Sequence, residues 1–175
     1  ENEENEKSVM SILQAMGVSF FLILITMVLL LGSFRQAFMV LAVIPLATAG
    51  VFINFTLFGI PLSFPALIGV LALFGIVVNN ALMLMDKINQ NVREGFPLYE
   101  GVADACASRI EPIFLSSLTG ILGLLPITIA DPFWRGLGGA IIAGLSFSGI
   151  LVLFFIPSIY VEFLGKEMEK KHAKK

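Results

Sequence analysis

The sequence predicts an all-α integral membrane protein that forms a bundle of five transmembrane helices. Three observations predict this class: a high apolar content, a low charge content and long stretches that contain no charge. Of the 175 residues, 57% are hydrophobic and only 14% are charged, whereas about 25% of a typical soluble domain is charged. Mean hydropathy is +0.93. These values exclude a water-soluble domain and also a disordered chain, because disorder requires low hydrophobicity and high charge.

Five apolar stretches are each long enough for a span, which needs about 20 mostly apolar residues. The stretch without charge between Arg35 and Asp86 has room for two spans, and Gly59 and Pro61 mark the turn that separates them. The predicted spans cover residues 17–34, 37–58, 64–85, 112–130 and 138–163.

The remaining segments are predicted to lie outside the hydrocarbon. Residues 1–16 are interpreted as a periplasmic remnant or linker, and residues 165–175 as a basic cytoplasmic tail. In the long connection between the third and fourth spans, Pro97 suits the first turn of a helix and apolar residues recur after it at helical spacing. This pattern predicts an amphipathic cytoplasmic helix at residues 97–109 that lies along the membrane surface. A solvated loop is the alternative.

The distribution of basic residues predicts the orientation of the chain. Five spans place the two termini on opposite sides of the membrane. If the N-terminus is outside, Lys7 and Arg135 are the basic residues on that side, and the other nine of the eleven lie inside. Basic residues concentrate on the cytoplasmic side of membrane proteins. We therefore expect a multi-pass protein with a periplasmic N-terminus and a cytoplasmic C-terminus.

Composition also argues against several functions. The net charge of −2 gives no reason to expect nucleic-acid binding, and Cys106 and His172, as the single cysteine and the single histidine, cannot build a metal cluster. No predicted span carries a carboxylate or a lysine at mid-depth, whereas an intramembrane protease needs paired aspartates or a serine with a base. We therefore expect neither an enzyme nor a bound cofactor.

Polar residues within the spans are the candidates for function. Asn79 and Asn80 stand side by side in the third span, and burying their amides in lipid is costly unless they find partners. Ser116 lies early in the fourth span. The residues alone leave two interpretations open. The amides either line a functional path or only hold helices together, and the Ser116 hydroxyl can simply bond to the carbonyl four residues back.

Small residues predict where helices approach one another closely. Gly69, Ala72 and Gly75 recur at a spacing of three in the third span, and Gly120 and Gly144 lie in the fourth and fifth spans. Small side chains let the backbones of transmembrane helices come together. We therefore expect these five positions to be helix-packing positions.

Two long motifs resemble a known family. Gly75–Asp86 (GIVVNNALMLMD) and Arg109–Pro126 (RIEPIFLSSLTGILGLLP) closely resemble the C-terminal membrane half of resistance–nodulation–division (RND) efflux permeases of the hydrophobe/amphiphile type. Residues 3–8 resemble the end of the periplasmic porter region. Shorter matches to the same family are Val43–Leu46, Pro61–Phe64, Asp131–Trp134 and Phe155–Tyr160.

The resemblance implies an architecture and an energy source. The family permease has twelve spans in two halves, resides in the bacterial inner membrane, is typically a homotrimer and is a proton antiporter driven by proton entry rather than by a cofactor. This chain corresponds to spans eight to twelve, so the resemblance implies a fragment or truncated product of a multidrug-efflux component. The implied partners are the lipid bilayer, the missing N-terminal half and, in the whole assembly, a periplasmic adaptor and an outer-membrane channel.

The resemblance also implies roles for individual residues. The family's proton relay uses an aspartate pair in the half that is absent here. Asn79 falls where many members have the relay lysine, with Asn80 beside it, and Ser116 falls where they have a relay hydroxyl. Arg109 matches an arginine at the cytoplasmic start of span eleven. Asparagine departs from the family pattern, because an amide cannot supply the positive charge that holds two aspartates ionised.

Two other functions share parts of this pattern. One is a protein-export accessory subunit of the SecD/SecF type, which has a similar half-bundle. The other is a non-transporting membrane scaffold or lipid-handling module, in which the asparagines only join helices. The Arg109–Pro126 motif favours efflux over the protein-export function, and the scaffold or lipid-handling function stays open.

Overall fold

The structure, a computed structural model, describes the backbone of residues 2–172 and the side chains of residues 6–164. Five stretches of this part are long and apolar enough to cross a membrane, which confirms the predicted all-α bundle of five spans. The predicted basic tail at residues 165–175 lies outside the side chains described. The described residues form six helices: α1 Asn2–Leu31, α2 Phe34–Leu41, α3 Val43–Phe58, α4 Phe64–Arg93, α5 Leu98–Ala130 and α6 Arg135–His172.

The first span begins earlier and ends earlier than the sequence predicts. Helix α1 starts at Asn2, so most of the segment interpreted as a linker at residues 1–16 is helical. It ends at Leu31 because Gly32 adopts a left-handed conformation with φ of 63° and its N–H donates to the Val28 carbonyl at 2.9 Å. Glycine is the residue that closes a helix this way at least cost.

The second span, predicted at residues 37–58, consists of two helices that together run from Phe34 to Phe58. The interruption is at Ala42, between α2 and α3. Pro45 has no N–H to donate to the Leu41 carbonyl four residues earlier, and its ring crowds that carbonyl. The helix therefore breaks at the turn that precedes the proline.

Helix α5 corrects the prediction for residues 97–109. This segment is helical, but it is not a separate helix, because one helix continues from Leu98 through Pro112 to Ala130. The buried Asn91 side chain of α4 donates to the Gly101 carbonyl at 2.8 Å and to the Asp104 carboxylate at 2.9 Å. These bonds hold the start of α5 against the end of α4.

Helix α4 is the centre of the bundle and packs against α6 with a constant register. The Tyr160 hydroxyl donates to the Asn89 side chain at 3.0 Å, and these residues are 71 apart in sequence. The same offset separates Gly69 from Ala140 and Leu73 from Gly144, which are also close neighbours. The two helices therefore run parallel and side by side over about 30 Å.

Helices α5 and α6 form an antiparallel hairpin. Gly120 of α5 faces Leu145 of α6, and Gly138, near the start of α6, faces Thr128 of α5. In the connection at residues 131–134, the Phe133 N–H donates to the Asp131 carboxylate at 2.9 Å, which fixes the turn. The bundle thus has one end with the turns after α1 and α4, here named the Arg93 end, and an opposite end with the turns after α3 and α5.

Candidate functional site

A stripe of small and polar residues runs along an exposed face of α4. Ala72, Gly75, Asn79 and Met83, here named the α4 stripe, follow one another at spacings of three or four and are all exposed. A side-chain carbon added at Gly75 would meet no atom within 4 Å. No described helix covers this face, so the amide of Asn79 is presented outward from the bundle.

The three residues expected to pack against another helix, Gly69, Ala72 and Gly75, therefore lie on two different faces of α4. Only Gly69 lies against α6, where an added Cβ would stand 2.7 Å from the Leu137 carbonyl oxygen. Ala72 and Gly75 belong to the exposed stripe. Elsewhere, an added Cβ at Gly120 would stand 2.8 Å from the Leu145 side chain, and one at Gly144 would collide with Leu73.

A second exposed stripe lies on α5, the neighbour of α4. Pro112, Ser116, Thr119 and Gly123, here named the α5 stripe, share one face and are all exposed. A Cβ at Gly123 would also meet nothing within 4 Å. The two stripes have similar chemistry: the α4 stripe has one amide and the α5 stripe has two hydroxyls, and none of their residues is charged.

Asn80 lies on a different face from Asn79. It is 3% exposed, and its Nδ2 atom has no hydrogen-bond partner among the described residues. Ser117 differs from Ser116 in the same way, because it is 8% exposed and its Oγ is unpartnered. Successive residues of a helix are rotated by about 100° around its axis. In each of these two pairs, one residue therefore faces outward and its neighbour faces the inside of the bundle.

Arg109 lies on the same side of α5 as Ser116, seven positions earlier in the helix. Its side chain is partly buried, and the buried Nε has no hydrogen-bond partner in the part of the chain that the structure describes. A buried guanidinium nitrogen without a partner is costly. Arg109 thus stands at the Arg93 end of the α5 stripe with an unused donor.

Sequence reasoning missed a buried polar network at the Arg93 end. Gln36 and Asn89 exchange two side-chain hydrogen bonds, at 2.9 Å and 2.8 Å, and the Asn89 oxygen also accepts from the Tyr160 hydroxyl. This network joins α2, α4 and α6. The position of Asn89 on the same face of α4 as the buried apolar residues could have identified it as a buried polar residue. Its partners are 53 and 71 residues away in sequence, so helical spacing could not identify them.

The described residues contain no group of three His, Cys, Asp or Glu side chains that could hold a metal ion. The site is therefore best described as two exposed polar stripes and one partly buried arginine. Such a surface can hydrogen-bond to groups on another helix, and the residues of the two stripes themselves carry no charge.

The comparisons with known proteins are consistent over almost the whole chain. The model of the AcrB/AcrD/AcrF family matches residues 1–164. The swarming motility protein SwrC of Bacillus subtilis is 30% identical over 162 residues, which is 90% of this chain and 15% of that protein. The toluene efflux pump membrane transporter TtgB of Pseudomonas putida is 30% identical over 176 residues, 96% of this chain and 17% of that protein.

Two further similarities agree with these. The multidrug resistance protein MdtC of Erwinia amylovora is 34% identical over 145 residues, 78% of this chain and 14% of that protein. The crystal structure of a heavy metal efflux pump has the same fold, with a TM-score of 0.80 and 24% identity over 90% of this chain and 16% of that one. The chain thus spans only about one-sixth of the length of the relatives it matches.

The five spans, the ordered motifs and the match to nearly every residue lead to one conclusion: this multi-pass membrane chain belongs to the AcrB/AcrD/AcrF family of RND efflux transporters.

Proposed function

We propose that this chain forms the last five spans of a proton-driven RND efflux permease and that its α4 and α5 stripes line the proton relay. The observation that carries the proposal is the exposure of Asn79 in the middle of an apolar helix. An amide facing hydrocarbon is costly. The small residues around it allow another helix to approach closely. We infer that helices from the missing half, which bear the family's aspartate pair, cover this surface.

The chemistry of Asn79 limits how the relay can work. Its amide both donates and accepts hydrogen bonds, so it can bond to an aspartate in either protonation state. It carries no charge and cannot by itself hold two aspartates ionised. The Ser116 hydroxyl can likewise donate to a carboxylate or accept from a carboxylic acid. Protonation of the aspartates would exchange these bonds and shift α4 and α5 against the other half.

The packing of α4 supports a route from the relay to other parts of the protein. The Asn89–Tyr160 bond and the close approach at Gly69 tie α4 to α6 along much of their length. A shift of α4 would therefore move α6 with it. We infer that this pair acts as one body when it transmits the change to the periplasmic export domains of the complete protein.

The larger assembly follows from the same proposal. We propose that the complete protein lies in the bacterial inner membrane, with the Arg93 end in the cytoplasm, as a homotrimer that meets a periplasmic adaptor and an outer-membrane channel. MdtC and TtgB are named for multidrug resistance and for toluene efflux. These names support an apolar or amphiphilic organic substrate for this permease.

The test uses the complete permease in inverted membrane vesicles, with drug transport and proton flux measured together. Asn79→Leu and Ser116→Val remove the relay bonds without adding charge, and each is expected to lower both fluxes at least tenfold. Thr56→Val is the matched control, because the Thr56 hydroxyl is exposed but already bonds to the Phe52 carbonyl at 2.9 Å.

The alternatives give different results. If both variants kept the wild-type fluxes, the relay assignment would be wrong. If the wild-type protein showed no proton-dependent flux of any small compound, the scaffold or lipid-handling function would replace efflux. Proton-dependent movement of a polypeptide would instead indicate the protein-export function.

A further inference from the structure

An open groove runs between α3 and α6 on the outer surface of the bundle. It has a volume of about 190 Å³, whereas sites that enclose a whole small molecule measure about 300 to 1,000 Å³. The groove therefore suits one part of a larger molecule. We refer to it as the α3–α6 groove, and its lining residues are Gly50, Ile53, Asn54, Ala143, Ser146 and Phe147.

Asn54 places an accessible and unpaired amide in this groove. The residue is partly exposed. Its amide makes no hydrogen bond to any residue that the structure describes, and both of its polar atoms stay accessible. The nearby hydroxyls are already paired, since Thr56 bonds to the Phe52 carbonyl at 2.9 Å and Ser146 bonds to the Ile142 carbonyl at 2.8 Å. An unpaired amide in contact with hydrocarbon is costly, so Asn54 calls for a partner from outside the bundle.

Large apolar side chains form the exposed edges of the groove, which favours lipid over another helix as its neighbour. On α3, Ile53 is 57% exposed, and on α6, Phe147 and Ile150 are 41% and 63% exposed. A face on which another transmembrane helix packs closely is rich in small residues, as the α4 and α5 stripes are. No residue of α4 or α5 lines the groove. It is therefore separate from the surface that the missing half is proposed to cover.

The depth of Asn54 matches the boundary between the hydrocarbon and the lipid headgroups. The span formed by α2 and α3 has 25 residues, a length of about 37 Å, and the hydrocarbon is about 30 Å thick. The ends of this span therefore project slightly beyond the hydrocarbon. Asn54 lies one helical turn, about 6 Å, before the end of α3 at Phe58. Its amide thus reaches the level at which phospholipids carry their ester carbonyls.

We propose that the α3–α6 groove binds one phospholipid from the leaflet next to the turn after α3. An acyl chain lies along the groove, and an ester carbonyl accepts a hydrogen bond from Asn54 Nδ2. The amide nitrogen of asparagine has two donors, so it is suited to a carbonyl oxygen, which only accepts. The lining carries no charged side chain. Binding therefore depends on the ester group and not on the charge of the headgroup.

Photolabelling of the complete permease in lipid nanodiscs tests this site. Two phosphatidylethanolamine probes carry the same chains and the same diazirine, but one is a diester and the other is a diether that lacks the carbonyls. We expect the diester to label the peptides at residues 50–54 and 143–147 about 3- to 10-fold more strongly, the effect of one hydrogen bond. Asn54→Leu keeps a side chain of similar size and is expected to lower diester labelling to the level of the diether.

Ser146→Ala is the matched control, because it also changes a polar residue of the groove but removes a hydroxyl that already bonds within α6. It is expected to keep the preference for the diester. The two probes can be compared on the wild-type protein, so the test stays decisive if Asn54→Leu does not insert.

Three results would each overturn the proposal. Equal labelling of these peptides by the two probes would show that lipid chains fill the groove without the bond to Asn54. Absence of labelling would show that protein covers the groove. A preference for the diester that persists in Asn54→Leu would show that another residue recognises the ester.

Discussion

Asn79 and Asn80 are chemically identical neighbours whose surroundings differ completely. The first is exposed on the α4 stripe, and the second is 3% exposed with an unpartnered nitrogen. The sequence shows that two amides in a span are costly. It cannot show which of them faces outward, because that depends on which sides of α4 the helices α5 and α6 occupy.

The network around Asn89 leads to a prediction at the residue scale. Tyr160→Phe removes the hydroxyl that donates to Asn89 and leaves the Gln36–Asn89 pair intact. We expect it to lower the free energy of unfolding by about 1 kcal/mol. Asn89→Leu is expected to cost about 3 kcal/mol, because it leaves the Gln36 amide and the Tyr160 hydroxyl unpaired.

Thermal unfolding of the purified membrane protein measures both changes. Tyr99→Phe is the matched control, because Tyr99 is 73% exposed and lies outside the network. Its expected change is within about 0.5 kcal/mol. If Tyr160→Phe and Tyr99→Phe had the same effect, the Asn89–Tyr160 bond would contribute nothing measurable.

At the scale of elements, α5 shows where sequence patterns stop being sufficient. Pro97 indicates the helix start, and Pro112 suggested a boundary before the next span. The helix continues because Ala105 and Ile113 are buried on either side of Pro112 and because Asn91 holds the first turns. Tertiary packing decides the result here, whereas the proline removes only one backbone hydrogen bond.

Close approach between α4 and α6 gives a prediction at the same scale. Gly144 faces Leu73 so closely that no side-chain carbon fits without displacement. Gly144→Leu is expected to lower stability by about 1 to 3 kcal/mol through overpacking. Ser146→Leu, two residues further on the exposed face of α6, serves as the control and is expected to change stability by less than about 0.5 kcal/mol. Equal loss in the two variants, measured by thermal unfolding, would contradict close packing at Gly144.

At the scale of the whole molecule, the number of spans was readable from the sequence because charges are excluded from hydrocarbon. The longest stretch without a charged residue lies between Arg35 and Asp86. The candidate site was readable only in part. Its polar residues were found as exceptions in apolar segments, but the two stripes are defined by the helices that do not cover them, and this is a property of the assembled bundle.

The distribution of charge over the bundle leads to a prediction of its orientation. The Arg93 end carries Arg35, Lys87 and Arg93, whereas Arg135 starts α6 at the opposite end. Because basic residues stay in the cytoplasm during insertion, we expect the turn after α4 to be cytoplasmic and the turn after α5 to be periplasmic.

Labelling of single cysteines with a membrane-impermeant maleimide tests this orientation. In a Cys106→Ser background, Pro132→Cys is expected to react in spheroplasts and Glu94→Cys only in inverted vesicles, since both positions are exposed in turns. The two variants serve as controls for each other, because each must react fully once the membrane is dissolved. Reaction of Glu94→Cys in intact spheroplasts would show that the orientation is the opposite of the one predicted. The Arg93 end would then face the periplasm, and protons entering the cell would reach Asn79 from that end of the bundle.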